Sequence, residues 1–516
     1  MFAGYIIMAV PGMTLTITII GLFTIAFGNG LFKGNLQAVV GQMYDDPKYS
    51  KLRDSAFMIF YMGINIGALF APFAATGIRN WWLKSNGFLH DGSLPSLCHQ
   101  LINGTLADTS TLQQLANKAN LAGAVTDLNV FAHNYIEVFS KGYNFAFGIA
   151  SCTMVVSLLV FIIFSRFIPN KEKKVTEKVK FNPLPLVAAI IAMGITAFGL
   201  SFVRQFGDTL PQRLATGLAF GLFVGFVTWI ILSAKKEEMS RIVALVLVFI
   251  VVIFFWMSFH QNGLTLTLFA RDYIEKAVGP FTNLFFNVWS LLAVCGSVAG
   301  LVLIIRKGVE KNIRVIGGGL FVVAFLLAYF KIAGAGSMND ISPEIFQSFN
   351  PLFVVALTFP VMGFFGWLNN KNMEPSVPKK IGFGMIVAAL GFLILLICSL
   401  NLSSPHLLNG SPVPDAERVS PYWLISIYLV LTVAELFLSP MGLSFVSKVA
   451  PSRFQGLMQG GWLLATAVGN KLLFVGTLLW DKVQLWQLWL VFIICCLTSA
   501  AFIFSILNRL EKAGNN

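Results

Sequence analysis

The chain alternates between long apolar stretches and short polar segments. An apolar stretch of about 20 residues with few charges can cross the hydrocarbon core of a bilayer as a helix. A shorter apolar stretch at 1–11 precedes thirteen predicted spans, which lie at 14–43, 55–78, 142–165, 184–204, 214–233, 242–269, 281–305, 313–332, 350–369, 381–401, 421–447, 456–480 and 485–508. The pattern therefore predicts an all-α polytopic membrane protein whose partner is the lipid bilayer.

Composition strengthens this prediction and narrows the chemistry. Of the 516 residues, 56% are hydrophobic and 11% are charged, whereas soluble domains carry about 25% charged residues. None of the six cysteines forms a CxxC pair or stands at metal-ligand spacing from a histidine. We therefore expect no disulfide framework, no bound metal and no other cofactor.

The net charge of +13 comes from an uneven distribution of lysine and arginine. Of the 36 Lys and Arg residues, 23 lie in the loops after the odd-numbered spans, and loops rich in these residues face the cytoplasm. The distribution predicts a multi-pass protein of the plasma (inner) membrane with a cytoplasmic C-terminus. No basic run with interleaved aromatic residues stands in a polar segment, so nucleic-acid binding is not expected.

A basic run marks a candidate domain boundary. The sequence NKEKKVTEKVK at 170–180 predicts a cytoplasmic linker between a first helical bundle at 1–169 and a second at 241–516. The spans between them predict an extra helix hairpin at 181–240. A further hairpin is predicted within the second bundle, at 281–332.

The longest polar segment, 79–141, is predicted on the outer side of the membrane. Its sequence contains short helical stretches among polar residues. Loops tolerate insertions and also carry binding functions. We therefore interpret the segment as either a substrate-side cap or a tolerated loop insertion.

Four ionisable side chains interrupt the apolar spans: Lys33, His260, Glu435 and Lys471. Ionisable side chains are costly in lipid, and those that occur usually face a cavity and serve a function. At 1.5 Å per residue, the first three lie about 14–18 Å from one end of their helices, near the midplane of a ~30 Å core. A cavity between the two bundles would collect these three residues.

Each of these side chains also has a structural interpretation. The Lys33 side chain could snorkel towards the lipid headgroups, although its reach from mid-helix is poor. Glu435 could pair with a neighbouring cation, and His260 could be a neutral core histidine. Lys471 lies nine residues from the outer end of its span, and snorkelling is the favoured interpretation there.

Polar and aromatic pairs place further side chains on the same helix faces. Residues four apart share one face of a helix, and three apolar spans carry such pairs: Tyr61 with Asn65, Trp256 with His260, and Glu435 with Ser439. A carboxylate can bind an ammonium group and an ammonium can bind a carboxylate. The set therefore suits a zwitterionic ligand.

Catalytic motifs are not apparent in the sequence. It contains no HExxH motif and no recognisable set of nucleophile, base and orienting residue. The stretch GNGLFKGN superficially resembles a phosphate-binding loop, but its lysine lies within a membrane span. We therefore do not expect an enzyme.

Four stretches together resemble the proton-dependent oligopeptide transporter family, part of the major facilitator superfamily. They are GNGLFKGN (28–35), RDSAFMIFYMGINIGALFAP (53–72), QSFNPLFVVALTFP (347–360) and AELFLSPMGLSFVSKVAP (434–451). They are similar, in order, to the glycine-lysine motif of helix 4, the FYxxINxG signature of helix 5, helix 8 and helix 10. The resemblance covers nearly the whole chain and implies a major facilitator fold of two helical bundles plus extra helix hairpins.

The resemblance implies roles at the two ends of a bound peptide. Lys33 matches the helix 4 lysine, which would engage the peptide C-terminus and help to couple protons. Glu435 matches the helix 10 glutamate, which would take the peptide N-terminus and also a proton, and Ser439 lies in the same motif. His260 stands where many members carry an acidic residue, and imidazole could still take a proton because it titrates near pH 6.5.

The middle of the peptide would contact other matched residues. Asn65 and Asn350 match asparagines that contact amides, and Tyr61 lies in the helix 5 signature. Trp256 and Trp462 match tryptophans of helices 7 and 11 that shape side-chain pockets. With the end-binding residues, they form the expected substrate site.

The chain departs from the family pattern at its start. The helix 1 motif ExxERFxYY is absent, and the spans begin near the end of helix 3. We therefore expect an incomplete N-terminal bundle that lacks helices 1–2 and part of 3, in a truncated or mis-started product or one with a partner chain.

The function that the resemblance implies is proton-coupled import of di- and tripeptides by alternating access. One alternative is a transporter of the same fold for another solute, such as nitrate, a sugar or a drug. The other is a non-transporting fragment or membrane subunit.

Overall fold

The computed structural model describes residues 1–106, 108–167, 182–207, 209–305, 310–408 and 413–515. Within these ranges, thirteen helices are long and apolar enough to cross a membrane. The prediction of an all-α polytopic membrane protein is therefore confirmed. The strands in the described ranges, β1 (Ala277–Val278) and β2 (Asn339–Asp340), form one short antiparallel pair. The predicted linker at 170–180 lies outside the described residues.

The chain divides into two compact units, one from Met1–Lys33 and Phe70–Thr176, the other from Gly34–Leu69 and Glu177–Asn516. Two helices contribute to both units, because the division falls within α2 and α3. The helices that form the first unit, wholly or in part, are α1 (Phe2–Ala9), α2 (Leu15–Met43), α3 (Arg53–Ser85), α4 (Leu94–Ile102), α5 (Ser110–Ala119) and α6 (Leu128–Phe164).

The segment between the spans of α3 and α6 folds around a small core of its own. Helices α4 and α5 pack beside the start of α6, and Leu94, Leu112 and Tyr135 are fully buried there. Burial raises the pKa of the neighbouring Cys98 thiol to about 11. The Asp127 carboxylate caps the N-terminus of α6 by accepting from the main-chain N–H groups of the first turn. The segment 79–141 thus contains folded structure, and its use as a cap stays a prediction.

The second unit contains the remaining helices: α7 (Leu184–Ser201), α8 (Leu210–Ser233), α9 (Met239–Phe259), α10 (Thr265–Tyr273), α11 (Pro280–Asn283), α12 (Val288–Ile305), α13 (Lys311–Ala333), α14 (Phe349–Asn370), α15 (Val377–Ser399), α16 (Pro405–Leu408), α17 (Pro421–Val449), α18 (Gln455–Lys471), α19 (Phe474–Trp480), α20 (Leu485–Ser505) and α21 (Leu507–Asn515). Several begin with proline in the first turn, where a missing N–H costs no helical hydrogen bond: α7, α8, α15 and α17.

Glycines let the predicted extra hairpins pack backbone against backbone. A Cβ added at Gly217 of α8 would lie 2.4 Å from the carbonyl oxygen of Ala197 in α7. One turn further, a Cβ at Gly221 would lie 2.6 Å from the carbonyl oxygen of Met193. In the second hairpin, a Cβ at Gly300 of α12 would lie 2.6 Å from the carbonyl oxygen of Gly317 in α13. Close approach through small residues is a common way for membrane helices to associate.

We expect Gly217→Ala to loosen the α7–α8 hairpin, because its methyl group would clash with the Ala197 carbonyl. Overpacking of this kind typically destabilises by about 1–3 kcal/mol. The matched control is Gly199→Ala in the same hairpin, where an added Cβ meets no atom within 4 Å. Thermal unfolding of both variants in detergent checks this, and equal melting temperatures would contradict it.

A buried lysine links three helices at one end of the second unit. Lys380 of α15 is 2% exposed, and its Nζ lies 2.6 Å from Glu374 Oε1 and 3.6 Å from Asp54 Oδ2 in α3. Ser444 of α17 donates to Asp54 Oδ1 at 2.5 Å. A buried charge requires such partners, so this cluster fixes the adjoining ends of α3, α15 and α17.

Two predicted spans are interrupted rather than continuous. A 3-10 turn at His260–Gly263 separates α9 from α10, within the span predicted at 242–269. Residues 472–473 separate α18 from α19, within the span predicted at 456–480. Gln261 joins the two interruptions, because its Nε2 donates to the Leu473 carbonyl at 3.2 Å. The number of spans is nevertheless as predicted.

Candidate functional site

The carboxylate of Glu435 lies within the second unit, on α17, and is held by two neighbouring helices. Its Oε1 accepts a hydrogen bond from the Tyr61 hydroxyl of α3. Its Oε2 accepts from the Asn350 side-chain amide of α14 at 2.6 Å. The Glu435 residue is 3% exposed. The structure therefore brings together three residues that the sequence singled out separately, and we call Glu435, Tyr61, Asn350 and Thr432 the carboxylate cluster.

Thr432 is the member of this cluster that sequence reasoning missed. Its Oγ1 accepts from the Asn350 amide at 3.1 Å and donates to the Tyr428 carbonyl at 2.7 Å. The residue is fully buried. Its position three residues before Glu435, on the same helix face, was the available signal, but a threonine inside an apolar helix is common.

Asn65 and Ser439 lie one helical turn beyond Tyr61 and Glu435, on α3 and α17 respectively. The Asn65 amide donates to the main-chain carbonyl of Tyr61 at 3.0 Å, and the residue is 7% exposed. Ser439 is buried one turn beyond Glu435. The side-chain amide of Asn65 thus braces the turn that carries Tyr61.

His260 lies at the interruption between α9 and α10. Its ring stacks on Trp256, with centroids 4.4 Å apart and planes at 30°. Its Nδ1 hydrogen-bonds with the amide oxygen of Asn470, near the end of α18. The predicted pairing of Trp256 with His260 on one face is therefore present, and it also joins two helices.

The Trp462 indole packs directly against Gly442 of α17, where any larger side chain would clash with it. The indole is 2% exposed, and a Cβ added at Gly442 of α17 would lie 1.9 Å from its Cη2 atom. Within the described ranges, no hydrogen bond links Trp462 or Trp256 to the carboxylate cluster. The two tryptophans therefore shape packing between helices, and their part in a ligand pocket stays a prediction.

The two intramembrane lysines occupy different positions. Lys33 is half-buried in α2 and belongs to the first unit, whereas Glu435 belongs to the second. Their pairing across a ligand therefore stays a prediction. Lys471 is the last residue of α18. In the described part of the chain, no three His, Cys, Asp or Glu side chains come together as metal ligands.

Comparisons with known proteins show which family the sequence is similar to. The sequence model of the POT family matches residues 1–335 and 332–485. "Uncharacterized transporter YclF" of Bacillus subtilis is 26% identical over 490 residues, which cover 93% of this chain and 71% of that protein. "Peptide transporter YePEPT" of Yersinia enterocolitica is 23% identical, over 87% of this chain and 66% of its own length. The chain thus spans about two thirds of these relatives.

Solved structures agree on the fold. A POT family transporter in complex with a thioalcohol-conjugated peptide has a TM-score of 0.55 and 18% identity, over 99% of this chain and 80% of that one. The peptide transporter POT (E310Q mutant) in complex with alafosfalin has a TM-score of 0.51 and 21% identity, over 99% of this chain and 78% of that one. At these identities the likeness supports the helical transporter fold.

Proposed function

Since the chain belongs to the POT family, we propose that it is a proton-coupled symporter that imports di- and tripeptides by alternating access. Relatives that bear the names of peptide transporters and of dipeptide and tripeptide permeases support this substrate class. We place the protein in the plasma membrane with a cytoplasmic C-terminus, on the distribution of its basic loops.

The observation that carries the proposal is the buried carboxylate of Glu435, whose partners Tyr61 and Asn350 come from two other helices. A buried carboxylate can bind an ammonium group through a charge-assisted hydrogen bond. Glu435 would bind the peptide N-terminus, and Lys33 would bind the C-terminus. Asn65 and Asn350 would contact the amides between them.

The remaining residues would complete the pocket. Ser439 and Tyr61 lie on the helix faces that carry Glu435 and Asn65, and would add hydroxyl groups. Trp256 and Trp462 would form apolar walls for the peptide side chains. The hydroxyl groups lie in helices that are otherwise apolar, where polar residues usually serve a function. The role of Trp462 is implied by the resemblance of the sequence to the family.

Proton coupling would use Lys33, His260 and Glu435. A proton entering from outside would charge His260 or neutralise Glu435. Either event changes the attraction between the two charged ends of the site, and transporters of this architecture change access around a central site. Protons are then the coupling ions, and no cofactor is required.

Reconstitution tests this function directly. Purified protein in proteoliposomes with an acidic exterior should accumulate labelled dialanine, and unlabelled dipeptides should compete. Collapse of the pH gradient with an ionophore should stop accumulation. Competition by nitrate, sugars or drugs but not by peptides would favour the alternative carrier, and uptake no faster than in protein-free liposomes would contradict transport.

The variant His260→Gln tests the proposed proton site. Glutamine can still hydrogen-bond with Asn470 but cannot take up a proton. The uptake rate at external pH 5.5 should therefore be about the same as the rate at pH 7.5. Initial rates of dialanine uptake at the two pH values provide the measurement. An unchanged pH profile would remove His260 from proton coupling.

A further inference from the structure

The carboxylate of Glu435 is closed off by donors that belong to the protein itself. Each of its oxygens accepts one hydrogen bond, Oε1 from Tyr61 and Oε2 from Asn350, and the residue is 3% exposed. Since the residue is 3% exposed, a ligand ammonium needs a neighbouring side chain to move before it can reach the carboxylate, and the two donors already on its oxygens are the candidates. The identity of the side chain that moves determines how binding is linked to the rest of the structure.

Asn350 is anchored from a second side. Its amide donates to Thr432 as well as to Glu435, at 3.1 and 2.6 Å. Thr432 is itself fixed to the Tyr428 carbonyl at 2.7 Å and is fully buried. Moving Asn350 would leave a buried threonine oxygen and a buried carboxylate oxygen without their donor, which is costly.

Tyr61 is held differently. A phenol has one proton to donate, and that of Tyr61 goes to Glu435. The Asn65 amide donates to the Tyr61 main-chain carbonyl, so rotation of the Tyr61 side chain about its Cα–Cβ bond leaves that hydrogen bond in place. Of the two donors, Tyr61 is therefore the one that can leave at the lower cost.

We propose that the Tyr61 hydroxyl occupies the place of the substrate ammonium, and that binding exchanges one for the other on Glu435 Oε1. This inference rests on the proposed peptide substrate. In the exchange, one hydrogen bond from a neutral donor to the carboxylate breaks, and one forms in which donor and acceptor are both charged. Thr432 acts as a positioning residue that keeps Asn350 on Oε2 throughout.

The exchange has a structural consequence because Tyr61 and Glu435 lie on different helices. Two side-chain hydrogen bonds among the described residues join α3 to α17. Tyr61 bonds to Glu435, and Asp54 bonds to Ser444 at 2.5 Å. Asp54 and Tyr61 lie seven residues, or two helical turns, apart on one face of α3. When substrate displaces Tyr61, the hydrogen bond between Tyr61 and Glu435 breaks. Substrate binding is thereby linked to movement of α3 against α17.

The variant Tyr61→Phe tests the exchange. We expect dialanine to bind roughly 3- to 10-fold more tightly, because the competitor for Glu435 is gone and the effect of one hydrogen bond is of this order. N-acetyl-dialanine, which lacks the ammonium, should show no such gain. Binding is measured by displacement of a labelled dipeptide from purified protein, after thermal unfolding has shown that the variant is folded.

The matched control is Tyr428→Phe, which removes another buried phenol hydroxyl of the second unit, bonded to the Asn262 carbonyl at 3.0 Å. This variant should change the binding affinities for dialanine and N-acetyl-dialanine by the same factor. In parallel, Thr432→Val should weaken dialanine binding, and Thr432→Ser should restore it. Weaker or unchanged dialanine binding by Tyr61→Phe would overturn the exchange. Failure of the unmodified protein to bind any peptide would instead overturn the proposed function.

Discussion

Replacing Glu435 with glutamine is expected to lower dialanine uptake by one to two orders of magnitude. The substitution keeps the size of the side chain but removes the charge that would bind the peptide ammonium. A hydrogen bond to a charged group contributes about 1.5–3 kcal/mol, which corresponds to roughly a 10- to 150-fold change in affinity. The measurement is the initial rate of uptake in proteoliposomes as a function of dialanine concentration.

The control for this experiment is Glu137→Gln. Glu137 is largely exposed on α6 and pairs with Lys141 at 2.7 Å, and exposed pairs of this kind contribute little. Uptake by Glu137→Gln should therefore match that of the unmodified protein. Near-normal uptake by Glu435→Gln would show that the carboxylate does not bind the substrate.

The second large effect is expected for Gly442→Ala. The added methyl group would lie 1.9 Å from Cη2 of Trp462, and that indole is 2% exposed and cannot turn aside freely. We expect both a loss of stability of at least about 1–3 kcal/mol and a loss of most uptake, because α17 also carries Glu435. Thermal unfolding and uptake are measured on the same preparation.

Gly460→Ala is the matched control, since a Cβ at Gly460 of α18 meets no atom within 4 Å. It should leave both the melting temperature and the uptake rate close to normal. If Gly442→Ala kept the melting temperature and uptake rate of Gly460→Ala, this would contradict the close packing of Trp462 against Gly442 of α17.

The spans could be predicted from the sequence because one requirement dominates in lipid. Every backbone polar group must be satisfied within the segment, so apolar stretches of sufficient length become helices, and thirteen do in the part of the chain that the structure describes. The interruptions at His260–Gly263 and at residues 472–473 were not predicted. The contact that joins the two interruptions, from Gln261 to the Leu473 carbonyl, is tertiary and cannot be deduced from either stretch alone.

At the candidate site too, individual residues could be predicted from the sequence, but their tertiary contacts could not. Glu435 and Tyr61 were predicted because polar side chains in apolar helices are unusual, and Asn350 because its stretch resembles helix 8 of the family. That they meet in one cluster depends on how α3, α14 and α17 pack. Thr432 was not predicted, because its hydroxyl can be satisfied by its own helix and its contact to Asn350 is tertiary. The pairing of Lys33 with Glu435 stays a prediction.

A structure of the protein with bound dialanine would show whether the substrate replaces Tyr61 on Glu435. We expect the peptide ammonium within about 2.7–2.9 Å of a Glu435 oxygen, with Asn350 still bonded to Thr432 and the Tyr61 hydroxyl displaced from the carboxylate. A dialanine whose carboxylate faces Glu435, or which binds elsewhere while Tyr61 stays on Glu435, would contradict it.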